Sequence, residues 1–213
     1  MRGDLPTGVG NVSRLPKLLP EDLDDAQRAV YDSIAGGRRA EGRQLFRLVD
    51  EHGGLEGPFN ALLLQPRLGH ALQALGAAVR YETTLPGRAR EIAILVVAAG
   101  WDSDFEWYAH APLARQAGLT DVELADLRTG RFDDLPTEHE RTVAVTTHAL
   151  VARGDLDDAE YRRAEEVLGR PLLFELLTLV GYYAALALQL RVFRVAAPTL
   201  DIRPTCAAGF HTR

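Results

Sequence analysis

Along most of the chain apolar residues recur at spacings of three and four, the period of a helix that lays one face on a core. The pattern begins near Pro20, whose fixed φ suits a first helical turn, and runs through Ala26, Val30 and Ile34 to Gly36-Gly37. Glu41 to His52 is short and charged and gives no secure element before Gly53-Gly54. Pro58 to Leu63 reads as one short helix. Pro66 opens the next, where Leu68, Leu72, Leu75 and Val79 make an apolar stripe. Arg88 to Ala99 is apolar almost all round after Glu91, the signature of a helix buried on every side. Ser103-x-x-Glu106, Thr120-x-x-Glu123 and Thr137-x-x-Glu140 fit the capping box that starts a helix, and Asp157-x-x-Glu160 is a looser version. A last helix opens at Pro171 and continues to about Val195. Strand signals are nearly absent and no repeat is visible, so the fold expected is all-α.

Composition narrows the function classes. The 213 residues carry 24 basic and 30 acidic side chains, a net charge of −6, with 46% hydrophobic residues. That balance suits a folded domain and lacks the basic footprint of a nucleic-acid binder. The expected organisation is an extended Gly- and Pro-rich arm over residues 1–20, one helical domain over 21–198 and a tail over 199–213. Cys206 is the single cysteine, which excludes an internal disulfide and an internal CxxC centre. The N-terminus has no continuous apolar segment of the secretory kind. The nearest thing to a membrane span, Leu172 to Leu190, holds Glu175 inside it, so a core or interface helix is expected, not a membrane. A cytoplasmic location follows as the expectation. Two helices apolar on more than one face compete for one interior, which predicts a homo-oligomer.

Reactive side chains are densest between Arg88 and His110. Glu106 and His110 lie four apart and therefore meet on one helix face. A carboxylate beside an imidazole can fix its tautomer, raise its pKa and make a proton shuttle near neutral pH. Glu91, in an apolar stretch, needs a partner, and His110 is a candidate if the two helices pack antiparallel. Arg88 or Arg90 could then bind an anionic substrate. The plainer alternative is that Ser103 and Glu106 only cap a helix and that the pair is exposed. No H-E-x-x-H or cysteine cluster supports a metal. His139 and His148 are nine apart and share no face. Tyr182 and Tyr183 are core tyrosines, or one lines a pocket.

Three stretches, Leu85-Pro86-Gly87-Arg88-Ala89-Arg90-Glu91-Ile92-Ala93-Ile94-Leu95, Phe105-Glu106-Trp107-Tyr108-Ala109-His110 and Ala114-Arg115-Gln116-Ala117-Gly118-Leu119, resemble the carboxymuconolactone decarboxylase family. Gly57-Pro58-Phe59-Asn60 and Leu179-Val180-Gly181-Tyr182-Tyr183 extend the likeness to about Leu15–Pro198. The resemblance implies an alkyl hydroperoxidase D-like helical bundle, assembled as a trimer or a hexamer. The redox branch of that superfamily has a glutamate, a CxxC and a histidine one turn further on. Here Glu91 and His110 match, but Ser103 and Glu106 stand where the cysteines would be, so thiol peroxide chemistry is not expected. The implied function is cofactor-independent, non-redox chemistry on a small carboxylated lactone or related cyclic carbonyl compound, with decarboxylation favoured. His110 would be the acid/base, Glu106 its partner and Glu91 a second acceptor. Arg88 would clamp a carboxylate, and Asn60, Trp107 and Tyr182 would line the pocket. Cyclase, isomerase or hydrolase chemistry could use the same groups, and a binding protein that has lost catalysis would keep the fold.

Overall fold

The computed structural model describes residues 13–41 and 46–198. Residues 1–12 of the expected arm, residues 42–45, and the expected tail with Cys206 lie outside them. The described residues form eight α-helices: α1 (Asp25–Ala35), α2 (Phe59–Leu62), α3 (Pro66–Tyr81), α4 (Gly87–Gly100), α5 (Asp104–Gln116), α6 (Asp121–Arg128), α7 (Glu138–Arg153) and α8 (Asp158–Phe193). Among them the only β pairing is one isolated antiparallel bridge, Val49 to Leu55, in the segment the sequence left open.

The surroundings of α4 explain its sequence. It packs on α5, α6, α7 and α8, and Ile92 to Val97 are all buried. A second, smaller core joins Val30 and Ile34 of α1 to Leu55, Phe59 and Leu62. Although α8 is long and apolar enough to cross a membrane by length and composition, Leu176, Leu179, Leu186 and Leu190 bury one side of it in the bundle. Its 36 residues are really two helices meeting at Gly169, whose φ of 73° and ψ of 158° break the first just before Pro171.

Helix starts follow local chemistry with two corrections. Asp24, Thr120 and Asp157 head complete capping boxes with Gln27, Glu123 and Glu160. Thr137 caps α7 through the Glu140 N–H, but the Glu140 carboxylate turns away to Arg88. At Ser103 the box does not form at all. Its ψ is 91°, against 149° to 172° at the other four caps, and it follows Asp102 at φ 49°. That tight turn leaves the hydroxyl without a cap bond and frees Glu106 to face inward.

The stripe expected on α3 is also corrected. Leu68 is 66% and Leu75 41% exposed, whereas Gly69, Gln73, Gly76 and Val79 are buried. The inner face is small because neighbours come close: a Cβ on Gly69 would meet the Leu62 carbonyl, and one on Gly76 the Tyr182 hydroxyl.

Candidate active site

Antiparallel packing of α4 and α5 brings Glu91 opposite His110. The His110 Nδ1 lies 2.8 Å from Glu91 Oε2, and its Nε2 lies 3.5 Å from Glu106 Oε2, with all three side chains buried. Burial pushes the His110 pKa below its ordinary 6.5. Burial alone would raise Glu91, but His110 beside it, then Arg80 and Arg90, hold it below the usual carboxylate range. The pair therefore rests as carboxylate and neutral imidazole, with Nδ1–H donating to Glu91 and Nε2 left as an acceptor. Glu106 is different. Desolvation raises its pKa to about 8, even against the guanidinium groups of Arg39 and Arg80. It is a protonated acid at neutral pH, and its Oε1 has no hydrogen-bond partner.

These groups face a small, partly open cavity. Its polar lining is Arg39, Arg80, Glu106, His110, Tyr182 and Tyr183, and Phe46, Phe59, Phe105 and Leu186 supply apolar walls. The space left amounts to about 20 Å³ for the centres of water molecules, room for roughly one. The edge of Tyr183 stacks on His110 at 5.2 Å, and Tyr182 on Tyr183 at the same distance. Burial raises both phenols, keeping them neutral donors. The Glu91 carboxylate and a hydrogen bond to the Tyr183 hydroxyl keep the largely buried Arg80 charged despite desolvation. Phe105 also lines a wider surface recess with Ser103, Leu190 and Arg194.

Of the residues singled out from sequence, the structure brings Glu91, Glu106, His110 and Tyr182 together. It places Arg88, Asn60 and Trp107 elsewhere. Arg88, one turn before Glu91, reaches instead toward α6 and α7, where it pairs with Glu123 and Glu140 and donates to the Gly118 carbonyl. Those partners occupy its fork, so it cannot clamp a ligand beside His110. Asn60 is buried but accepts from Leu18 N at 3.0 Å and donates to the Pro16 carbonyl at 2.9 Å, fastening the N-terminal segment. Trp107 is half-buried against the main core, with the Arg128 guanidinium 4.8 Å over its ring.

Arg39 and Arg80 were missed. Arg80 sits at the end of the α3 face that carries Gly69, Gln73 and Gly76, and that run of small and polar residues was the available signal. Arg39 follows Gly36-Gly37 in a charged turn, where nothing in the sequence turns it inward.

Residues 66–144, from the start of α3 to the middle of α7, match the model of the carboxymuconolactone decarboxylase family. The matched stretch covers 79 of the 213 residues. Glu91, Glu106 and His110 all fall within it, whereas Arg39 and Tyr182 flank it. In fold the chain is similar to the debrominase Bmp8. Its complex with 2,3,4-tribromopyrrole matches at a TM-score of 0.66 and 11% identity, over 86% of this chain and 90% of that one. The apo form matches at the same score and identity, over 91% of its own chain. Both are alkyl hydroperoxidase D-like in fold, as the all-helical bundle here is. No curated protein matches.

Proposed function

We propose that the chain is a non-redox enzyme that moves protons on a small carboxylated lactone or related cyclic carbonyl compound, decarboxylation being its favoured reaction. The observation that carries this reading is the buried line Glu91–His110–Glu106, with Glu106 neutral and at the wall of a cavity that also holds two guanidinium groups. In a decarboxylation the bond to the carboxyl carbon breaks, its electron pair passes into the conjugated carbonyl and carbon dioxide leaves. The resulting enolate needs a cation and then one proton on carbon. Arg80 and Arg39 supply the charge, and Glu106, already protonated, supplies the proton. Water supplies the replacement proton: His110 Nε2 takes it up, Glu91 holds the imidazolium, and Nε2 then passes the proton to the Glu106 carboxylate. A lactone-sized ligand needs more room than one water, so its admission requires the phenyl groups of Phe46, Phe59 or Phe105 to change rotamer. The family match supports this chemistry, and the serine and glutamate at the superfamily's thiol positions speak against peroxide reduction. Homo-oligomeric assembly, as a trimer or a hexamer, is part of the same reading.

The test is turnover of a panel of small carboxylated lactones, followed by carbon dioxide release. His110→Gln is expected to lower kcat by at least about a hundredfold, the usual weight of a general acid/base, with helical content by circular dichroism unchanged. Turnover within a few-fold of wild type would make His110 structural and remove the mechanism.

A further inference from the structure

Arg39 stands on the 3-10 turn Arg38–Ala40 after α1, outside the segment that matches the family. Its position is built from several sides. The Nε donates to Gln73 Oε1 at 3.1 Å, and the guanidinium lies over the Phe59 ring at 5.2 Å. A Cβ on Gly76 would lie 2.7 Å from its Nη2, so the glycine makes the space that the guanidinium enters. The Nη2 is nonetheless buried with no hydrogen bond of good geometry, the Tyr182 hydroxyl being the polar group beside the guanidinium. Leaving a charged donor dry and unpaired costs free energy that a ligand oxygen would recover.

The charges around the cavity point the same way. Arg80 has Glu91 as a counter-charge, whereas among the described residues no carboxylate lies in salt-bridge contact with Arg39. Glu106 shares the cavity with Arg39 but is a neutral acid at pH 7. Arg90 also lies 3.9 Å from Glu91, so guanidiniums outnumber the one carboxylate and the site carries net positive charge.

We infer that Arg39 is the specificity-determining residue of the site: it receives the anionic oxygen of a small monocarboxylate and so selects monoanions over neutral molecules of the same shape. Calling that monocarboxylate the substrate rests on the proton-transfer reading above; the binding preference does not. Arg39 does for this cavity what Arg88 was expected to do, from a segment that the family match does not include.

The test is calorimetric or NMR titration at pH 7 with two probe pairs, acetate against acetamide and benzoate against benzamide. Wild type is expected to bind at least one carboxylate about tenfold or more tightly than its amide. Arg39→Met should bring that ratio to about one, and Arg88→Gln should leave it unchanged. Should the methionine variant fail to fold, Arg39→Gln and Arg39→Lys stand in, with the preference lost in the first and kept, weakened, in the second. No carboxylate binding by wild type up to about 10 mM, the weak-binding limit, overturns the inference. So does a carboxylate preference that survives removal of the guanidinium. Carboxylate preference is read on the wild-type and Arg39 variants by binding alone and His110→Gln by turnover alone, so loss of the catalytic reading and loss of this one are separate outcomes.

Discussion

At the scale of single residues, three ionisable groups in contact hold three different states because each has a different surrounding. Glu91 keeps its charge through His110 and the nearby arginines, His110 loses its charge to burial, and Glu106, with no bonded partner for Oε1, keeps its proton. The Glu106 state has a consequence for stability. A folded pKa of about 8 against an ordinary 4.5 means the native state binds a proton that the unfolded chain releases, so stability falls as pH rises between those values. His110 works in the opposite sense below its unfolded 6.5, where the unfolded chain takes up a proton that the native imidazole refuses. Between pH 6.5 and about 8 Glu106 acts without that opposition. The expected loss across that window is on the order of 2 kcal/mol, at 1.36 kcal/mol per pH unit. Urea unfolding at several pH values measures it. Glu106→Gln should flatten the decline, and an unchanged slope in that variant would mean that Glu106 is ionised in the native protein.

At the scale of elements, the sequence was legible wherever a start or stop depends on neighbours a few residues away. Thr120 and Asp157 cap as their spacing indicates, and α4 is buried all round as its composition indicates. The pattern misled where a distant element decides. The turn at Asp102 redirected Ser103 and Glu106 from capping to the cavity, and the approach of Tyr182 and Leu62 turned the small face of α3 inward instead of its leucines. For the site, the Glu–His pairing was readable from a four-residue spacing and from an acid in an apolar helix. Arg39 was not, because a charged turn carries no periodicity to show where its side chain points. Gly169 offers a local test. Its φ of 73° with ψ of 158° is open essentially to glycine alone, and an added Cβ would meet nothing closer than Pro171 Cδ at 3.9 Å. Gly169→Ala should therefore cost about 1–3 kcal/mol from backbone strain alone, read as a lower urea midpoint at unchanged m-value. No loss would mean that the two halves of α8 can join as one straight helix.

At the scale of the whole molecule, the misplaced leucines bear on assembly. Phe174, Leu177, Leu188 and Val192 are 70%, 42%, 48% and 47% exposed, and at 100° per residue they fall on one stripe of α8. Leu64 and Leu68 extend the apolar surface across the groove where the start of α3 meets the end of α8, a groove Phe193 also lines. Single exposed apolar residues are ordinary, but a stripe from residue 174 to 192 runs about 27 Å at 1.5 Å per residue. Its opposite side, with Leu176, Leu179 and Leu186, already fills the core. The helix is therefore apolar on two sides, and the proposed homo-oligomer would cover the outer one with a second copy of the chain. Closed symmetry would bury such a patch without leaving an open edge, as in the trimer or hexamer that the sequence resemblance implies. Light scattering behind size exclusion at micromolar concentration should give a multiple of 23.4 kDa. Phe174→Glu, at the most exposed point of the stripe and away from the cavity, should shift the protein toward monomer while leaving its circular dichroism spectrum unchanged. A wild-type protein that elutes and scatters as 23.4 kDa would leave the stripe without this explanation, and an oligomer untouched by Phe174→Glu would place the interface on another face.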